Sequence, residues 1–150
     1  MSKVVLIGSS SAIAKSLQKQ SDREFVCFTR SNGFDISGDL SELDDLEDIN
    51  GLVYFPGTIN LKPFTMLKEQ DYQNDLDINF LGAVKVVKKL IGKLKEADGA
   101  SVVFISTVAA SIGLPFHASI SPSKAALEAY ARSMAAEYAG ACLLYTSPSP

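Results

Sequence analysis

The stretch KVVLIGSSSAIAKSL, Lys3 to Leu17, decides the fold. It opens with an apolar run that closes on Gly8. An apolar run without polar alternation is the pattern of a strand buried on both faces. Three serines, Ser9, Ser10 and Ser11, then lead into Ala12, Ile13, Ala14 and Leu17. Ile13 and Leu17 stand four apart, which is the spacing of one helix face. The first turn of a helix has backbone N–H groups without internal partners, and its dipole favours an anion. Serine hydroxyls add donors, and Ala12 and Ala14 are small enough for a diphosphate and a neighbouring backbone to come close. An ordinary strand-to-helix turn would show the same features. Of the glycines that mark a dinucleotide turn only Gly8 is present, so the rest of the chain must weigh the reading.

Working outward, EFVCFTR (Glu24–Arg30), GLVYF (Gly51–Phe55) and ASVVFIS (Ala100–Ser106) repeat the buried-strand pattern, and FDIS (Phe34–Ser37) reads as a further, very short strand. Between them LSELDDLEDI (Leu40–Ile49) reads as an acidic helix. The acidic run Asp39–Asp48 has no metal-ligand spacing and is taken as a solvated face. A long helix is expected from about Asp71 to Lys95, with its apolar stripe through Leu76, Phe80, Ala83, Val87, Leu90 and Leu94. A last helix is expected from Pro122 to Tyr138, with Ser121 as N-cap and Pro122 in the first position. Apolar strands alternating with helices imply a doubly wound, Rossmann-like α/β fold with a parallel sheet. Ligands bind such sheets beyond the carboxyl ends of the strands. Attention therefore falls on Gly8–Ile13, Thr29–Asn32, Phe55–Ile59 and Ser106–Ser121.

The chain has 150 residues, 47% hydrophobic and 21% charged, which suits one soluble domain. A net charge of −3 without a basic cluster argues against a nucleic-acid partner. The apolar run Val4–Ile7 is too short for a signal core or a membrane span, so a cytoplasmic protein is expected. Two cysteines, Cys27 and Cys142, suggest neither a disulfide framework nor a metal site. Residues 1–141 form the expected domain. The segment Cys142–Pro150 reads as a disordered tail without a strand partner, and it resembles the translated read-through of a sequencing adapter. On that reading natural sequence stops near Ala141 and the domain is truncated at its C-terminus.

Two polar positions stand out. At the end of the second strand, where an acidic residue would grip a ribose, the chain has Thr29 and Arg30, and an arginine there accommodates a 2′-phosphate. That favours NADP over NAD. Asn79 falls on the apolar face of the long helix, where a buried amide must find partners.

Taken together these segments resemble the short-chain dehydrogenase/reductase family, over Lys3 to about Gly140. GSSSAIA (Gly8–Ala14) is similar to the family's glycine-rich turn, with the later glycines replaced by alanine. FDIS resembles the segment whose aspartate contacts the adenine, which points to Asp35. YFPG (Tyr54–Gly57) keeps the glycine of the family's third-strand motif, Gly57, and DIN (Asp77–Asn79) matches the helix asparagine. FISTVAA puts Thr107 at the place of the catalytic serine. Thirteen residues on, where the family has its tyrosine, stands Ile120, and Lys124 follows at the family's spacing. The resemblance implies hydride transfer between a nicotinamide cofactor and a carbonyl or alcohol. In the family the tyrosine donates the proton, the lysine lowers its pKa and binds the ribose, the serine holds the substrate oxygen, and the asparagine orders a water relay. Homodimers or homotetramers built on the two long helices are also implied.

Ile120 has no proton to give. His117, three residues earlier and the only histidine, is the sequence's candidate for that role, since imidazole titrates near neutrality. An exposed loop histidine is the alternative. The expected function is an NADP-dependent oxidoreductase with an unusual proton donor, acting through Asn79, Thr107, Lys124 and His117. The other reading is a dinucleotide-binding protein without turnover.

Overall fold

The computed structural model describes residues 2–141 together with the backbone of residues 144–146. Five strands form one parallel sheet in the order β2-β1-β3-β4-β5: β1 (Lys3–Ile7), β2 (Phe25–Phe28), β3 (Ile49–Tyr54), β4 (Ser101–Phe104) and β5 (Leu144–Thr146). The chain is a Rossmann-like α/β fold. β1 lies inside the sheet, between β2 and β3, and both of its faces are apolar. Val5 and Ile7 join a core with Leu52, Tyr54, Val102 and Phe104, covered by α3 (Gly82–Glu96) and α4 (Ile120–Tyr138). Val4 and Leu6 join Val53 on the other face, packed against Leu17 of α1 (Ala12–Gln20). The order reverses at β1: β2 lies on one side and β3 on the other, so the loops after these strands diverge and leave a crevice.

Ser11 caps α1, its hydroxyl accepting the Ala14 N–H at 3.1 Å. The turn before it needs glycine: Gly8 has φ +77, and a Cβ there would stand 3.1 Å from Pro56 Cδ. The face of α1 differs from the expected one. Ala14 and Leu17 face the sheet, whereas Ile13 is 48% exposed because it lies beyond the end of β1.

The long helix is a rod in three parts: α2 (Glu69–Leu76), a π turn (Asp77–Leu81) and α3. In the π turn Gly82 N–H reaches back five residues to the Asp77 carbonyl. Gly82 has no room for a side chain, since an added Cβ would collide with Tyr54 Oη and lie 2.9 Å from Ile36 Cδ1.

Four expectations are corrected. Phe34–Ser37 is a turn rather than a strand; only Phe34 is buried, and Asp35 Oδ1 takes the Ser37 N–H at 2.8 Å. The acidic helix reduces to one 3₁₀ turn, Ser41–Leu43. Just before it the Asp39 carboxylate accepts the Ser41 N–H at 3.1 Å, a local bond that competes with helix. α4 begins at Ile120, so Ser119 occupies the cap and Pro122 sits in the first turn rather than at its start. The segment expected to lack a strand partner supplies β5, which pairs in parallel with β4 from Ser101 to Val103. Tyr145 and Thr146 are residue types enriched in strands, and β4 offers them an edge. The remainder of that tail lies outside the described residues. No helix among the described residues is long and apolar enough to cross a membrane.

Candidate active site

A cavity of about 530 Å³ opens where β1, β2 and β3 end. Gly8, Ser10 and Ser11 line it from the first turn, Thr29 and Arg30 from the end of β2, Asp35 from the following turn, and Phe55 to Thr58 from the end of β3. Ser10 accepts a hydrogen bond from Thr29 Oγ1 at 3.0 Å, which ties two walls together. The residues expected to hold a dinucleotide thus divide. Gly8, Ser10, Ser11, Arg30, Asp35 and Gly57 share the cavity wall. Ser9 turns inward, its hydroxyl reaching the Phe28 carbonyl at 3.5 Å. Ala12 and Ile13 stand exposed on the first turn of α1. Arg30 is exposed as well, so its guanidinium is open to a ligand anion.

Gly57 joins the cavity to a buried polar cluster. A Cβ on it would stand 3.2 Å from Asn79 Oδ1 and 3.4 Å from Lys124 Nζ, so the loop, the π turn and α4 meet at this backbone. Asn79 is fully buried and its amide is well used. Its Oδ1 accepts the Thr58 N–H at 3.2 Å; its Nδ2 donates to Thr58 Oγ1 and to the Asp75 carbonyl, each at 2.8 Å. Thr58 Oγ1 in turn donates to Asp75 Oδ1 at 2.5 Å. Asp75 is 1% exposed, and its second oxygen has no partner among the described residues. Lys124 Nζ donates to the Ile105 carbonyl at 2.7 Å. Burial lowers the Lys124 pKa to about 8, because the charged ammonium loses water that one carbonyl only partly replaces. Thr58 and Asp75 escaped the sequence reading. The signal was an acid four residues before Asn79, on the same buried face.

The strand-β4 side carries the other candidates. Thr107 caps a short turn, Val108–Ala110, its hydroxyl accepting the Ala109 N–H at 3.3 Å. Its neighbour Ser106 is buried and donates to Glu128 of α4. Ile120 is buried at the start of α4, one turn before Lys124, and its carbonyl accepts the Ser123 hydroxyl at 2.8 Å. His117 does not share the cavity wall. Its Nδ1 lies 2.7 Å from the Pro115 carbonyl, and the residue lines a separate groove of about 390 Å³ with Phe64, Ile112, Leu114, Phe116 and Pro122.

The model of the short chain dehydrogenase family matches residues 3–142. The chain belongs to the short chain dehydrogenase family. A 3-dehydrosphinganine reductase of Danio rerio is 27% identical over 111 residues, which cover 69% of this chain and 33% of that protein. A peroxisomal 2,4-dienoyl-CoA reductase of Saccharomyces cerevisiae is 30% identical over 74 residues, 49% of this chain and 25% of that protein. The chain thus matches a third or less of the length of these relatives. A small-chain dehydrogenase solved in complex with NADPH superposes with a TM-score of 0.86 at 22% identity, covering 99% of this chain and 69% of that one. A 4-hydroxyisoleucine dehydrogenase complexed with NADH and succinate gives 0.84 at 18% identity, covering 98% and 78%. At those identities the likeness speaks for the fold.

Proposed function

We propose that this chain is the nucleotide-binding part of an NAD(P)-dependent oxidoreductase that moves a hydride between NADP(H) and a carbonyl or alcohol. The observation that carries the reading is the cavity at the reversal of strand order, with Gly57 on its wall and Asn79 and Lys124 directly behind that glycine. The first-turn residues fit a diphosphate: Gly8 has the left-handed φ and close contacts that favour glycine, and Ser10 and Ser11 bring hydroxyls to the wall. Arg30 suits a 2′-phosphate, and Asp35, which lines the same cavity, suits the adenosine end. When bound, the nicotinamide supplies or accepts the hydride. Lys124 holds the ribose side, and the Thr107 hydroxyl holds the substrate oxygen. The proton then passes through a group other than residue 120. His117 is the sequence's candidate, although its ring engages the Pro115 carbonyl in a groove apart from the cavity. The names of the matched reductases support this class of reaction.

An intracellular homodimer or homotetramer fits the resemblance, with Ala129 and Ala136 exposed on α4 for close helix packing. Titration with NADPH and NADH, followed by fluorescence, tests the binding half of the reading. Micromolar NADPH affinity with weaker NADH is the expected result, and no binding of either overturns it. Ile120 favours one second reading, a dinucleotide-binding protein without turnover. It expects NADPH binding, no reaction across a carbonyl panel, and activity created by Ile120→Tyr.

A further inference from the structure

The buried pair Thr58 and Asp75 has no part in the roles carried over from the family. Thr58 lies on the cavity wall, next to Gly57, and is half-buried. Asp75 lies behind it, closed off from water at 1% exposed. The hydrogen bonds between them have one direction. Asn79 Nδ2 donates to Thr58 Oγ1, which leaves the threonine hydrogen to point at Asp75 Oδ1, 2.5 Å away. A carboxylate is an acceptor only, and two-thirds of a threonine hydroxyl's capacity is acceptance. A second lone pair on Thr58 Oγ1 therefore remains beyond the bonds to Asn79 and Asp75. Burial of a carboxylate is costly unless its oxygens are paired, and Asp75 Oδ2 has no partner among the described residues.

We propose that Thr58, backed by Asp75, is the acid–base pair of this site in place of the residue at 120. The inference rests on the oxidoreductase reading above. In the alcohol-oxidising direction the substrate O–H bond breaks and its proton joins Thr58 Oγ1. The threonine's own hydrogen passes along the 2.5 Å bond to Asp75 Oδ1, and the carboxylate becomes a carboxylic acid. The electron pair of the substrate C–H bond leaves as hydride for the oxidised nicotinamide dinucleotide. In the reducing direction Asp75 returns the proton through Thr58 to the carbonyl oxygen. Thr58 is the catalytic residue here. Asp75 and Asn79 act through it, one holding the proton and the other fixing the direction of the hydroxyl.

Asp75→Asn separates this role from a merely structural one. The amide keeps the shape and can still accept the Thr58 hydrogen, but it cannot take up a proton. The full chain, its D75N, T58V and T58S variants and NADP⁺ with a panel of primary and secondary alcohols are the materials. NADPH affinity by fluorescence and the thermal midpoint report binding and folding. With both preserved in D75N, turnover is expected to fall by about 10²-fold or more, the range of a positioned acid or base. T58V is expected to lose turnover similarly, and T58S to recover most of it relative to T58V. Infrared difference spectra after mixing NADP⁺-loaded protein with alcohol should show a carboxylate band converting to a carboxylic acid in the parent and not in D75N. D75N turning over like the parent overturns the pair, as does turnover that survives T58V and vanishes in His117→Ala. NADPH binding without turnover on any alcohol also overturns it while leaving the dinucleotide site standing. A parent that binds no dinucleotide fails at the earlier reading instead.

Discussion

Arg30 stands exposed at the end of β2 on the cavity wall, with no acidic side chain at Thr29 or Ser31 to compete for it. Arg30→Ala is therefore expected to weaken NADPH binding by about 10- to 100-fold, the worth of about 1.5–3 kcal/mol for hydrogen bonds to a charged group. NADH affinity should change little, and parallel titrations of the two cofactors check the difference. Equal losses for both would remove Arg30 from 2′-phosphate recognition. Gly57 gives a second test at this scale. Gly57→Ala drives a methyl to within 3.2 Å of Asn79 Oδ1 and 3.4 Å of Lys124 Nζ. Both neighbours are held, Asn79 by three hydrogen bonds and Lys124 by the Ile105 carbonyl, so neither can retreat easily. The variant should fold and lose NADPH affinity, measured by the same titration. The place of Arg30 was legible because it follows the second strand directly, and Gly57 and Lys124 were singled out by the resemblance to the family's motifs. Thr58 and Asp75 were not, since their pairing spans 17 residues and exists only once the π turn has docked on β3.

That π turn is the element on which the site depends. Its Ile78 carbonyl accepts the Tyr54 hydroxyl at 2.6 Å, and Tyr54 comes from the last position of β3. One hydrogen bond thus fixes the turn that presents Asn79 to the loop after the same strand. Tyr54 is deeply buried, and burial pushes its phenol pKa well up. Tyr54→Phe should cost about 1–3 kcal/mol, since it leaves a carbonyl unpaired in the interior. A lower urea midpoint checks the size of the loss. Reduced NADPH affinity at low denaturant would show that the turn positions Asn79, whereas unchanged affinity would confine Tyr54 to stability. Elements with long apolar patterns, β1, β3, β4 and the rod from Glu69 to Glu96, were legible because burial on a sheet or helix face imposes a period. The π turn was not, since one inserted residue hardly disturbs that period. Leu40–Ile49 misled for a related reason. Leu40, Leu43 and Ile49 are buried, which mimics a helix face, but the chain there makes a single 3₁₀ turn, entered through the bond from the Ser41 N–H to the Asp39 carboxylate.

At the scale of the whole molecule, the buried lysine links the site to stability. Lys124 has its pKa lowered by desolvation from an ordinary 10.5 to about 8 in the folded chain. Below pH 8 it is protonated in both states, and the folded state bears the full cost of a poorly solvated ammonium. Between pH 8 and 10.5 the unfolded chain holds the proton that the folded chain has released. The unfolded state then binds more protons, so stability rises with pH. Tyrosines act in the opposite sense at the upper end. Burial raises Tyr54, and it raises Tyr130 to about 12, so above pH 10 the unfolded chain loses phenolic protons that the folded chain keeps, and stability falls. The gain from Lys124 should therefore show between about pH 8 and 10. Lys124→Met removes the titrating group while keeping an apolar stem of similar length. The parent should gain on the order of 2 kcal/mol relative to this variant between pH 7 and 10, given ~1.4 kcal/mol per pKa unit. Urea midpoints of both proteins across that range measure it. Parallel curves would mean that Lys124 stays charged and hydrated in the folded chain. Bound NADPH should change the slope as well, because its ribose hydroxyls would give the ammonium the partners that a single carbonyl does not.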